Sequence, residues 1–249
     1  MPSTDTYPSG RLFNYMTFHR VRFPSPTSAH TEPFGGPDAA VHWVFGTDSS
    51  LDGSGMRTRV SDVWGGAAFY PDLRAAEAVI DDLTGRLPWL SDTLEAWHAL
   101  LCPISHRGKV NWFGPFEAAS QFSPVCPDPG GPLVVLTSAG FNVLPPEQLK
   151  ADLPRRVDFS INVDRVRVWY AKLPGNLARG VFQTGPVGSD GMTFTLWRND
   201  VAMTQAAYQS GIHRIQVDRY KTEHTADRSS FTRARILRSL GTWDGIALP

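Results

Sequence analysis

MTFTLWRNDVAMTQAAYQSGIHRIQVDRYKTEHTADRSSFTRARILRSLGTW, residues Met192 to Trp243, reads as strand, long helix and strand. Met192–Trp197 is short and rich in β-prone residues, and Asn199 or Asp200 is placed to cap the helix after it. Val201 to about Asp227 contains no proline and a single glycine, Gly211, so one helix is predicted across it. Phe231–Leu240 then alternates with a period of two, the signature of a half-buried strand. On that helix His213, Tyr220, His224 and Asp227 fall within about 60° of arc, a face that offers a histidine to a cofactor. A hydrogen-bonded histidine with no ligand role is the competing reading. Gly211 costs a helix interior about 1 kcal/mol against alanine. With Ala206 and Ala207 nearby, it leaves room for another surface, either a flat cofactor or a crossing helix.

Working outward, Leu133–Val143 is predicted as a strand and Pro145–Leu173 as mostly helix. Asn176–Pro186 and Met192–Trp197 form two strands around the turn GPVGSDG. With the long helix and the last strand the order becomes βαββαβ, the ferredoxin-like unit. The first half has a looser version. Leu12–Val21 is a strand, an irregular Pro/Gly/Ser stretch runs to Ala40, and Val41–Gly46 and Val60–Tyr70 are strands. A helix over Leu73–Leu83 and a strand over Glu95–Cys102 complete it. The fold class is therefore α+β, two tandem ferredoxin-like units whose sheets pack into one barrel of the dimeric α/β-barrel type. The expected division is an N-terminal half over residues 1–114, a Pro/Gly-rich linker over 115–132 and a C-terminal half over 133–249. The halves share no evident sequence repeat. Within the first half, Ser25–Asp38 (SPTSAHTEPFGGPD) is expected to be a mobile loop and a place for a substrate lid.

Composition narrows the function. Lys+Arg and Asp+Glu are 24 each, so the formal net charge is zero, which argues against nucleic-acid or anionic-membrane partners. No stretch of apolar residues is long enough to span a bilayer, and the N-terminus lacks the pattern of a signal peptide. Two cysteines, Cys102 and Cys126, are too few for a disulfide scaffold and have no CxxC spacing, which makes a reducing cytoplasm the expected location. No dinucleotide fingerprint, phosphate loop, nucleophile elbow or zincin helix is present. Asp81–Asp82 has no companion carboxylates and reads as a solvated face.

Three blocks carry a resemblance. The segment TFTLWRND…SG-x-HR…DRY…F-x-R-x-x-x-LRS-x-GTWDG resembles the C-terminal half of the spheroidene monooxygenase family of carotenoid biosynthesis. AWHALLCPISHRGKVNWFG (Ala96–Gly114) is similar to that family's strand-and-loop ending in P-x-S-x-RG. RVWYAKLPGNL (Arg167–Leu177) is similar to an aromatic-rich segment of the same family. The matches run in order over roughly residues 61–245, whereas the first sixty residues match poorly. The resemblance implies a dimeric α/β-barrel haem enzyme that oxygenates an apolar or aromatic substrate, a secondary metabolite or a carotenoid. It would use haem b iron, dioxygen and an external electron donor such as a ferredoxin, and a homodimer is the expected assembly. The same superfamily holds haem-dependent aldoxime dehydratases, dye-decolourising peroxidases, chlorite dismutases and cofactor-free barrels, so the site must decide the chemistry. Dehydration or N–N/N–O bond chemistry and non-catalytic haem or small-molecule binding remain open.

On this reading His213 is the proximal ligand to the haem iron. His106, in the S-H-R-G block, is the rival ligand. His224 lies about 16 Å along the helix from His213 and is too far to share the metal. Arg107 and Arg214 are candidates to pair with haem propionates, because a guanidinium matches a carboxylate in a two-point fork. Ser105 and Arg107 are the candidate catalytic groups, Ser105 as a hydrogen-bond donor to iron-bound oxygen. Trp97, Trp169, Phe194 and Trp197 are the candidate pocket walls, with a place in the core as the alternative for each.

Overall fold

The computed structural model describes residues 14–28, 34–40, 42–58, 60–108, 128, 130–183, 190–209 and 211–249. Eight strands close into a barrel among them: β1 (Tyr15–Ser28), β2 (His42–Asp48), β3 (Val60–Tyr70), β4 (Glu95–Gly108), β5 (Leu133–Gly140), β6 (Asn176–Gln183), β7 (Asp190–Trp197) and β8 (Arg228–Gly241). Around the barrel they run β1-β3-β2-β6-β7-β5-β8-β4, every neighbouring pair antiparallel. Each half thus places its fourth strand beside its first, and its third between first and second, which is the ferredoxin-like order. The chain folds as two such units sharing one barrel.

The two seams between the halves differ. β2 meets β6 only at Thr47↔Gln183 and Asp48↔Phe182. β4 runs along β8 from Trp97↔Gly241 to Gly108↔Ser230, with irregularities after Leu100 and after Pro103. Proline has no N–H for the ladder, so a break beside Pro103 is expected of its chemistry.

Period-two alternation sends one set of side chains inward. Met16, Phe18, Phe69, Trp97, Leu101, Leu136, Phe182, Phe194 and Leu196 are all but completely buried in the barrel core. Gly65 lets the Phe182 ring lie across β3, where an added Cβ would stand 2.5 Å from the ring. Beyond β8, the chain turns back and Trp243 enters the same core, its ring 5.3 Å from Phe194 and 6.5 Å from Phe18. Arg20, buried at the same end, lies over the Trp243 ring and pairs with Glu95 and Asp244 at 2.6 Å each. The cation needs both carboxylates, because an unpaired charge at such a site costs several kcal/mol.

Helices cover the outer faces. In the N-terminal half, α1 (Leu73–Asp81) starts at Asp72, whose side chain accepts from the Ala75 N–H at 2.9 Å. It buries Ala76, Val79 and Ile80 against β1, β3 and β4. After it come α2 (Leu83–Arg86) and a 3-10 turn (Pro88–Asp92). In the C-terminal half, α3 (Pro146–Tyr170) opens on proline and buries only Arg156, Asn162 and Tyr170. α4 (Asp200–Thr204) is capped by Asn199 and runs into a π turn (Gln205–Gln209), and α5 (Ile212–Glu223) is the last helix.

Several expectations are corrected here. The long helix is two helices, because Gly211 sits at φ 85° as the cap of α5 and not inside a helix. α5 ends at Glu223 with His224 in the left-handed conformation, so His224 and Asp227 leave the His213 face. The expected S-H-R-G loop is strand, since β4 extends to Gly108 and β8 gives Ser105–Gly108 partners. Ser25–Ser28 belong to β1, and Phe34, beyond residues 29–33, packs edge-on to Trp64 at 4.9 Å. Cys102 is disulfide-bonded, a pairing set by folded distance that spacing could not reveal. The expected linker, 115–132, lies outside the described residues except for 128 and 130–132.

Trp243→Ala is expected to destabilise the chain by about 3–5 kcal/mol in urea unfolding, as loss of a buried large aromatic does. A loss below about 1 kcal/mol would show that Trp243 covers the barrel end without supporting its core.

Candidate functional site

The two halves treat their outer faces differently. α1 lays a row of small apolar residues on its sheet. α5 has no buried residue, and its packing partners are α3 and the π turn. The outward residues of the C-terminal sheet are only partly covered: Val135, Thr137 and Ala139 are half-buried and Phe231 is 37% exposed.

Register defines this surface. One cross-strand row runs Ser105, Arg233, Val135, Thr195, and the next runs Arg107, Phe231, Thr137, Thr193, Val181. Both rows point outward because Val134, Leu136, Phe194 and Ala234 between them point into the barrel core. The result is a floor of small and β-branched residues, with a serine and two arginines along its β4–β8 side. Arg233 pairs with Asp200 at the start of α4, and its Nε is buried with no hydrogen-bond partner among the described residues.

His213 belongs to the opposite wall. Its Nδ1 lies 2.9 Å from the Ala207 carbonyl oxygen. A carbonyl only accepts, so Nδ1 carries the proton and Nε2 the lone pair. The π turn, which breaks the regular helical ladder, presents that carbonyl. Tyr170 of α3 stacks on the imidazole at 5.7 Å and meets Trp197 of β7 edge-on at 4.8 Å. Val135, in the same row as Ser105 and Arg233, packs in one apolar cluster with Ala206 and Ala207 of the π turn that precedes α5. Burial pushes the His213 pKa below the ordinary histidine value, with the Ala207 hydrogen bond opposing it. The imidazole is therefore a neutral donor with its hydrogen-bonded nitrogen held, the arrangement typical of histidine ligands to metals.

Gly211 does allow a close approach, as the sequence suggests, but the surface that arrives is Trp169. A Cβ on Gly211 would stand 2.4 Å from its ring. Trp169 and Trp197 thus lie on the helix side near His213, in one apolar cluster. Trp97 and Phe194 lie inside the barrel, 5.7 Å apart and on the other side of the sheet from His213. Ser105 and Arg107 are on the outer face. His106 alternates to the inner face, where Nδ1 meets Thr232 Oγ1 at 2.8 Å, and burial lowers its pKa. Arg214 is exposed, donates to the Tyr208 carbonyl and pairs with Asp218 on its own helix. Sequence reasoning missed Arg233, although it alternates with Phe231 and Arg235 along a strand whose period is plain. Among the described residues, no group of three or more His, Cys, Asp or Glu side chains is placed to hold a metal ion, and no helix is long and apolar enough to cross a membrane.

No family model matches the chain, and no curated protein matches it. Among solved structures, aldoxime dehydratase OxdRE in complex with butyraldoxime is 12% identical, over 91% of this chain and 80% of its own, with a TM-score of 0.51. An anthrone oxidase-like protein is 12% identical over 95% and 97%, with a TM-score of 0.29. SnoaB from Streptomyces nogalater, a cofactor-independent oxygenase, is 11% identical over 47% and 97%, also at 0.29. The first likeness supports the shared dimeric α/β-barrel type of fold. The other two carry no argument about this chain.

Gly211→Ala is expected to cost more than about 1 kcal/mol in thermal or urea unfolding, since the new Cβ meets both a positive φ and the Trp169 ring. Combined with Trp169→Ala, the two losses should be non-additive by about 0.5–3 kcal/mol. Simple additivity would separate the glycine's backbone role from the tryptophan.

Proposed function

We propose that this chain is a haem-dependent monooxygenase acting on a small apolar or aromatic substrate, a carotenoid or other secondary metabolite among them. The observation that carries this reading is His213, a neutral imidazole whose Nδ1–H is held by the Ala207 carbonyl, which leaves the Nε2 lone pair for a ligand. It stands at the start of a helix that has no buried residue, and Val135, Thr137 and Ala139 on the outer face of the C-terminal sheet are half-buried. The residues suit the group. His213 would hold the iron, Arg107 and Arg233 would pair with the haem carboxylates, and Trp197 and Trp169 would wall the group on the helix side. Bound haem b would supply iron chemistry with dioxygen and electrons from a donor such as a ferredoxin. The chain's own part is to fix the imidazole, exclude water with Val135, Val181 and Phe231, and present polar hydrogens from Ser105, Thr137 and Thr193 on the sheet side. The resemblance to the spheroidene monooxygenase family supports oxygenation, and the expected assembly is a homodimer.

A second reading is favoured by the shared fold with aldoxime dehydratase and by the histidine itself. An imidazole pushes less electron density onto iron than the thiolate of cytochromes P450. Dehydration of a substrate bound through nitrogen needs no external reductant, so the two readings part on stoichiometry. Oxygenation consumes one dioxygen and two electrons per product; dehydration consumes neither.

Haemin titration of the purified chain is expected to give a Soret band that His213→Ala shifts or abolishes and His106→Ala leaves unchanged. A band indifferent to His213→Ala would reject His213 as the ligand, and no band in any variant would leave a cofactor-free barrel. Because burial holds His213 neutral, haem retention should persist as pH falls through roughly 6.5, the ordinary histidine value. It should decline only at more acid pH, when Nε2 gains a proton. A decline centred at the ordinary value would mean that His213 is solvated in the apo chain.

A further inference from the structure

The outer face of the N-terminal half holds a buried polar chain for which the proposed chemistry has no use. Thr17 and His19 alternate outward from β1, Tyr70 from β3 and His98 from β4, all beneath α1 and Trp43. Tyr70 Oη lies 3.3 Å from Thr17 Oγ1, which lies 2.7 Å from His19 Nε2. His19 Nδ1 then lies 2.8 Å from His98 Nδ1. His19 is fully buried and His98 is 5% exposed. Two imidazole nitrogens can sit at hydrogen-bond distance only if one bears the proton and the other does not. The chain is satisfied in one sense when Tyr70 donates to Thr17, Thr17 to His19 Nε2, and His19 Nδ1 to His98 Nδ1. It is also satisfied with every donor reversed. In the reversed sense a first proton can enter at His98 Nε2, which makes a buried imidazolium, and a second proton, on His19 Nδ1, would set two N–H groups against each other at the contact.

No counter-charge is at hand among the described residues. α1 turns Ala76, Val79 and Ile80 toward this face and leaves Arg74, Glu77 and Asp81 exposed. β2 contributes Trp43, whose ring meets His19 at 5.7 Å, and β4 contributes Leu100. β8 contributes Leu240, partly buried against the same cluster and in register with His98, and Arg238, in register with Leu100, whose guanidinium pairs with the exposed Asp81 of α1 at 2.5 Å. Asp38, in the stretch before β2, is exposed. Among the described residues, Tyr70 is the one other titratable group of the chain, and burial raises its pKa, so it stays neutral.

We propose that the His19–His98 contact is an acid-operated latch, and that its protonation releases α1 and the Trp43 face from the outer side of the N-terminal sheet. Opening would expose the aromatic cluster next to it, in which Trp43 stacks on Phe45 at 5.0 Å and Phe45 on Trp64 at 5.6 Å. Linkage sets the sign. Burial pushes His98 down to about 4 and His19 well below its ordinary value, the charge of His98 adding to the effect on His19. The unfolded or opened state binds protons first, so the latch holds fully above roughly 6.5 and weakens as pH falls toward about 4. Each of the two histidines can then cut the closed-to-open ratio by up to about tenfold per pH unit.

The test is hydrogen–deuterium exchange of the full chain at pH 7 and pH 5, corrected for the intrinsic rate at each pH. Exchange in Tyr15–Phe23 and Leu73–Asp81 should rise at pH 5 in the wild type, while β5 and β7 stay protected. The H19Q/H98N variant keeps amide groups near the ring nitrogens but does not titrate, and it should show no such rise. If that variant does not fold, His98→Asn alone serves. Its Oδ1 takes the acceptor place of Nδ1, and the acid-side slope of stability should fall by up to about tenfold per pH unit against wild type. Unchanged protection of β1 and α1 at pH 5, or the same rise or slope in the variants, would overturn the proposal.

Discussion

Where β4 runs beside β8, two ferredoxin-like sheets become one closed barrel, and that closure places the other groups. A closed barrel has no free edge, and at eight strands its interior is about wide enough for side chains to fill. Phe18, Trp97, Phe182 and Phe194 occupy it, and Trp243 comes in from one end beside the Arg20–Glu95–Asp244 cluster. With its interior occupied by its own side chains, the chain has two outer faces between sheet and helix on which to hold other groups. The β4–β8 seam also carries Ser105 and Arg107 across from the N-terminal half to the C-terminal face, beside Arg233 and Phe231.

The two faces differ in how they are packed, and their properties differ with it. The N-terminal face is packed, and its polar groups, from Tyr70 to His98, satisfy one another under apolar cover. The C-terminal face is lined by valine, threonine and alanine, and α5 packs on α3 and the π turn. One imidazole in each region illustrates the contrast. His19 uses both nitrogens within the protein, whereas His213 holds a carbonyl through one. A lone pair left by a fixed tautomer is what a metal ligand requires, and a fully bonded pair with no counter-ion is what a proton disrupts.

Much of this architecture is legible in local patterns. The alternation in Val60–Tyr70 and Phe231–Leu240, the N-cap before Leu73 and the Pro/Gly punctuation yield the βαββαβ order of the second half and most of the first. Helix and strand periods depend on near neighbours, and near neighbours are what a sequence displays. The misreadings come where distant groups intervene. Gly211 reads as a weak spot in one long helix, but the Trp169 ring from α3 and a left-handed φ make it the cap of a second one. Ser105–Gly108 reads as a loop because of its polar residues, yet β8 supplies a ladder for it. Arg233 escapes notice because an arginine at an alternating position reads as a solvated strand face until the partner strands are known.

His213 itself marks the boundary between the two kinds of information. Its residue type, its neighbours Ala206, Ala207 and Gly211 and its place at the start of a polar helix are all in the chain, so the candidate ligand is found from sequence alone. The tautomer of its imidazole depends on a carbonyl six residues earlier that a π turn presents, and its wall depends on Tyr170 and Trp197 from other elements. Sequence by itself determined the α+β, ferredoxin-like fold and marked His213 as a candidate, because hydrophobic period and turn chemistry act over a few residues. Only the tertiary structure decided which faces those residues share, because a barrel's inside and outside are set by strand register, and register is an agreement between segments far apart in the chain.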